Sequence, residues 1–66
     1  MEIVVNGEPR LVAPGTTVAQ LVAQLPLAAK YVAVEVNEQL VPRPRHAEHL
    51  LAAGDRVEIV TLVGGG

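Results

Sequence analysis

Sixty-six residues with a net charge of -2 at neutral pH allow one domain with a small core, since a chain this short buries only about 60% of its unfolded surface. The absence of cysteine excludes a disulfide framework, a thiolate nucleophile and a cysteine-based metal site. Mild acidity and a single aromatic residue, Tyr31, leave neither a basic footprint nor a stacking platform for nucleic acid. The apolar runs are far too short to span a bilayer and Met1-Glu2 does not open a signal peptide, so the expectation is a soluble, cytoplasmic protein.

Glu2 to Val5 is β-rich, and Asn6-Gly7 behind it is the strongest short hairpin signal a sequence offers. Glu8 to Val12 returns as a second strand, with Pro9 near its start, where a missing N–H does least harm. Residues 13–16 make a loop. Thr17 then reads as an N-cap, with Gln20 at capping-box spacing. Val18, Leu21, Val22 and Leu25 recur at i, i+3, i+4 and i+7 and share one helical face, which predicts a helix of two to three turns packed on a sheet. Pro26 stops it. With Ile3, Val5, Val57 and Ile59, that helical face forms the expected core.

Tyr31 to Val36 is the next strand, with Val32, Val34 and Val36 alternating against a wetter Tyr31, Ala33 and Glu35. A turn at Asn37-Glu38-Gln39 leads to a short Leu40-Val41 strand. The Pro42-Arg43-Pro44 run forbids regular pairing there and suits an edge that should not recruit neighbours. Arg45 to Leu51 is expected to make one short helical turn with Leu50 and Leu51 tucked inward. After a turn at Ala53-Gly54-Asp55, Arg56 to Leu62 is the last strand. The order is β-β-α-β-β-β, an α+β arrangement with one sheet face covered. Its first and last strands have a crossover long enough to lie parallel.

The final residues of the chain attract a functional reading. A β-branched and apolar run, Thr61-Leu62-Val63, leads straight into Gly64, Gly65 and Gly66, with the carboxylate expected on the last glycine. Glycines offer no side chains to pack, and Val63 to Gly66 could reach roughly 13 Å from the body of the domain. Such a tail would enter a cleft too narrow for side chains and deliver an unhindered carboxylate. The plain alternative is a frayed terminus or a linker remnant. The glycines follow directly from the last core strand, which favours the functional reading and divides the chain into a domain over 1–63 and a tail over 64–66.

The layout, the Val36-Asn37 turn, Val41-Pro42-Arg43, Gly54-Asp55-x-Val57-x-Ile59 and the Gly65-Gly66 ending together resemble the sulfur carriers of thiamin biosynthesis, the ThiS family. The resemblance covers essentially the whole chain, with Gly64 as an additional glycine. It implies the ubiquitin-like β-grasp fold, a mixed four- to five-stranded sheet with one main helix on one face and strands one and five central. It also implies a carrier rather than an enzyme. The Gly66 carboxylate would be adenylated by a ubiquitin-activating-like adenylyltransferase of the ThiF type, converted to a thiocarboxylate, and its sulfur passed to a thiazole synthase of the ThiG type. No cofactor would be bound by this chain; ATP would be used by the activating partner. The chemistry fits what the sequence lacks, because there is no Gly-x-x-x-x-Gly-Lys-Ser/Thr phosphate loop and no cysteine to carry sulfur. The small subunit of molybdopterin synthase shares the fold and the Gly-Gly ending but is usually longer and richer in aromatics. A β-grasp interaction module without tail chemistry is the remaining alternative.

Strand parity also outlines a docking surface. If Val57 and Ile59 point inward, Glu58, Val60 and Leu62 face outward, as do Val4 and Ala33 on the flanking strands. With the implied strand order, Val4, Ala33, Val60 and Leu62 form one apolar patch beside the tail, with Leu62 as its anchor. Arg43 and Arg45 offer contacts to an acidic partner groove or simply confer solubility. His46 and His49 share a spacing suited to a metal but lack a clear third ligand, so they read as solvent-exposed imidazoles. The scattered glutamates read as solvated charges.

Overall fold

The computed structural model describes residues 1–26 and 31–62, the side chains of Tyr31 and Leu62 apart. Its elements are β1 (Glu2–Val5), β2 (Glu8–Leu11), α1 (Val18–Gln24), β3 (Tyr31–Val36), β4 (Gln39–Val41) and β5 (Arg56–Leu62). They build a five-stranded mixed sheet in the order β2-β1-β5-β3-β4. β1 and β5 are parallel at its centre, and the other pairings are antiparallel.

Both hairpins turn on two residues with positive φ. Asn6 (50°) and Gly7 (82°) close the Val5–Glu8 pair, the geometry that matches strand twist. The ladder runs one step past β2, where Met1 and Val12 exchange hydrogen bonds of 2.7 and 2.9 Å. In the second hairpin Asn37 (52°) and Glu38 (67°) close Val36–Gln39 without any glycine. The turn is therefore one residue tighter than the sequence suggests, and Gln39 joins β4.

The capping box at the start of α1 forms as its spacing predicts. The Thr17 N–H donates to Gln20 Oε1 at 2.9 Å and Gln20 N–H donates to Thr17 Oγ1 at 3.1 Å. The other two donors of the first turn are met from outside the helix: Val18 N–H reaches the His49 carbonyl and Ala19 N–H that of His46, each at 2.9 Å. All four orphan donors of the helix start are thus satisfied. At the other end Leu25 is extended, as Pro26 requires of the residue before it.

Val18 and Leu21 are fully buried beneath the sheet. They meet Ile3 and Val5 of β1, Val34 and Val36 of β3, and Val57 and Ile59 of β5; Val22, Leu25 and Val32 pack at the margin. Val12, Val41 and Leu51 close the core at its ends.

Two expectations fail in the segment after β4. A 3-10 turn occupies Arg43–Arg45 and a single helical turn ends at His49, whose N–H donates to the Arg45 carbonyl. The chain is then extended: Thr17 and Leu50 form a bridge, and Leu51 N–H donates to the Thr16 carbonyl. Extended backbone alternates its side chains, so Leu51 is buried while Leu50 is 64% exposed. His46 is not a solvent-exposed imidazole either. It is buried, with Nε2 2.9 Å from the Val41 carbonyl oxygen, and ties the end of β4 to the segment that caps α1.

Candidate functional site

β5 carries the chain toward the glycines, and it is held from both sides. Backbone groups of residues 55, 57 and 59 face β1: Val4 N–H donates to the Asp55 carbonyl at 2.9 Å and Asn6 N–H to that of Val57 at 2.8 Å. β1 ends there, and the side chain of Asn6 continues the ladder. Its Oδ1 accepts from the Ile59 N–H at 2.7 Å and its Nδ2 donates to the Ile59 carbonyl at 3.2 Å. An amide side chain thus acts as one further residue of strand.

The opposite edge of β5 is fixed at its start by Asn37. The Asn37 N–H donates to the Arg56 carbonyl at 2.7 Å, and Arg56 N–H donates to Asn37 Oδ1 at 3.0 Å. Asn37 Nδ2 also donates to Asp55 Oδ1 at 3.0 Å, while Asp55 Oδ2 accepts from Ala52 N–H at 2.8 Å. These bonds give the Gly54-Asp55 motif its physical reason. Gly54 supplies a φ of 83°, and the Asp55 carboxylate joins the turn before β5 to the turn between β3 and β4.

The open face of the sheet brings only part of the expected patch together. Val60 is 57% exposed and lies directly opposite Ala33. Leu62 pairs with Tyr31 along the backbone, and its side chain lies outside the described part. Val4 does not join them. Its register partner is Arg56, four positions before Val60, roughly 13 Å away at the rise of a strand. Glu58, opposite Glu35, stands between. Like charges directly opposite each other destabilise a sheet rather than hold it, and here they divide the apolar surface in two.

Arg43 is exposed, but beyond β4 at the sheet's edge, two strands away from β5. A groove of about 470 Å³ beside it is lined by Leu40, Val41, Pro42, Arg45, Glu48 and His49. Gly64, Gly65 and Gly66 lie outside the described residues. Among the described residues no group of three or more His, Asp or Glu side chains is placed to hold a metal, and no helix is long and apolar enough to cross a membrane. Sequence reasoning missed the double role of Asn6. Its only local signal, the following glycine, points to a turn, whereas its amide partner is 53 residues away.

One helix across a mixed sheet with its first and last strands parallel at the centre defines a ubiquitin-like β-grasp domain. The thiamine biosynthesis protein ThiS from Geobacter metallireducens, a crystal structure, superposes with a TM-score of 0.84 at 36% identity and complete coverage of both chains. The ThiS family model matches residues 3–66, and the chain belongs to that family. It is 33% identical over 66 residues to the sulfur carrier protein ThiS of Escherichia coli, spanning all of both chains. It is also 39% identical over 66 residues to a thiazole synthase of Paramagnetospirillum magneticum, of whose length it spans only 20%.

Proposed function

We propose that this chain is a sulfur carrier of thiamin biosynthesis whose Gly66 carboxylate is the reacting group. The observation that carries the reading is the family match, which runs through residue 66 and includes the glycines. Its E. coli relative is a sulfur carrier. A thiazole synthase contains a stretch similar to this whole chain, which supports a ThiG-type enzyme as the recipient of the sulfur. The chain acts as a protein substrate in the cytoplasm, with residues 1–63 as the body that partners hold and 64–66 as the tail they act on.

A carboxylate resists attack because its charge repels nucleophiles and oxide is a poor leaving group. With a reference pKa of about 3.3–3.7, the terminal carboxyl is ionised at neutral pH. Its oxygen attacks the α-phosphorus of ATP bound to a ThiF-type adenylyltransferase, and pyrophosphate leaves. A persulfide supplied on that side then adds its terminal sulfur to the acyl carbon and AMP departs. A thiol attacks the donor's sulfur in the resulting acyl disulfide, taking the donor as a disulfide and releasing the thiocarboxylate. Glycines leave the acyl carbon open to both partners. Ala33 and Val60, with Leu62 expected beside them, form the docking surface next to the tail.

Intact-mass spectrometry of the protein isolated from its own cells tests the reading. The expected result is a fraction in which one oxygen is replaced by sulfur, located to Gly66 by fragmentation. A uniformly unmodified protein, in cells actively making thiamin, would overturn it.

A further inference from the structure

Asn6 does more than extend the β1–β5 ladder; it marks where that ladder stops. Along β5, the carbonyls of Asp55 and Val57 and the peptide group of Ile59 are bonded on the β1 side, by Val4 N–H, Asn6 N–H and the Asn6 side chain, whereas Arg56 is bonded on the β3 side. The next residue on the β1 side is Thr61, still within β5, exposed, and opposite Val32 of β3. Pairing with β1 ends at Val5–Val57, and among the described residues nothing bonds the Thr61 N–H or C=O on that side. Among the described residues, the sheet's central strand therefore has an open edge over the stretch that leads to the glycines.

We propose that this edge is a slot into which the activating enzyme lays an extended main-chain segment, adding a strand beside β5. The inference rests on the carrier reading above. The occupant follows from what the chain offers there: residues 64–66 are all glycines, so an enzyme that must aim a carboxylate on Gly66 has no side chains to grip along them. Main-chain pairing gives affinity without side chains. Thr61 N–H donates to a carbonyl of the enzyme and Thr61 C=O accepts from one of its N–H groups, which fixes the direction in which the tail leaves the sheet.

Amide hydrogen exchange of the full chain, with and without the ThiF-type adenylyltransferase, tests the slot. Thr61 N–H is expected to exchange at least about tenfold more slowly in the complex. Thr61→Pro removes this N–H while leaving the β3 ladder intact, a position where an edge tolerates proline, and is expected to weaken binding about tenfold. Thr61→Val keeps the backbone donor and should bind within about twofold of the parent. If wild-type Thr61 gains no protection in the complex, or a folded Thr61→Pro binds as the parent does, the proposal is wrong while the carrier reading survives. Failure of the parent to bind the enzyme at all would remove both. Protection that rises with the concentration of the carrier alone would assign the edge to a second copy of this chain and overturn the proposal.

Discussion

The side-chain amide of Asn6 and the peptide group of Ile59 are joined by two hydrogen bonds, of 2.7 and 3.2 Å, across 53 positions of sequence. The same residue sits at a φ of 50° in the first hairpin turn, so it serves the turn with its backbone and β5 with its side chain. Asn6→Gly separates the two roles, because glycine adopts this φ at little cost. We predict a loss of about 1–3 kcal/mol in denaturant unfolding, the cost of leaving a partly buried peptide group unpaired. A loss below about 0.5 kcal/mol, the size of an ordinary surface substitution, would show that the amide contributes nothing.

What the sequence announces in this protein is what is decided locally. Asn6-Gly7 demands its turn, Thr17 and Gln20 satisfy each other three residues apart, and the alternation in Val32-Ala33-Val34-Glu35-Val36 declares its faces. Asn37-Glu38 was harder to read because no glycine marks its two positive φ values. The amide bonds of Asn37 to Asp55 and Arg56, which help hold the turn, come from 18 and 19 residues away. The burial of His46 is hidden for the same reason, since the carbonyl its ring meets belongs to the strand before its loop. At the site, parity assigns Val57 and Ile59 to the buried face and Glu58 and Val60 to the open one, as the structure has them, but not the offset between β1 and β5. That register is set by the tertiary crossover, and it separates Val4 from Val60.

Leu21 sits at the centre of the helix's buried face with no exposed surface. Leu21→Ala should cost about 2–5 kcal/mol, lost contacts and residual cavity together. In a domain this small that is a large part of the total stability. Chemical denaturation followed by circular dichroism measures it, and a change under about 0.5 kcal/mol would place that face outside the core.

Stability and function should separate at the tail. Deleting Gly65 and Gly66 removes no residue of the described core, so the thermal midpoint should stay where it is while adenylation by the activating enzyme is abolished. Adding residues after Gly66 should be equally inactivating, because the reacting carboxylate would be consumed in a peptide bond. A truncated protein that unfolds earlier would show that the glycines pack against the sheet.

The register between β1 and β5 makes the docking surface testable residue by residue. Val60 faces solvent opposite Ala33 at the tail end of the sheet, whereas Val4 lies level with Arg56, beyond the Glu35–Glu58 pair. Burying a valine against a partner contributes about 1.5–3 kcal/mol. Val60→Glu should therefore weaken binding to the activating enzyme by about tenfold or more, a penalty of at least ~1.4 kcal/mol. Val4→Glu adds the same charge to the same face but outside the contact, and should change binding by less than about twofold. Titration calorimetry with both folded variants decides between them. Equal losses would mean that the partner covers the whole open face. No loss from either would leave recognition to the tail and to the edge of β5 at Thr61.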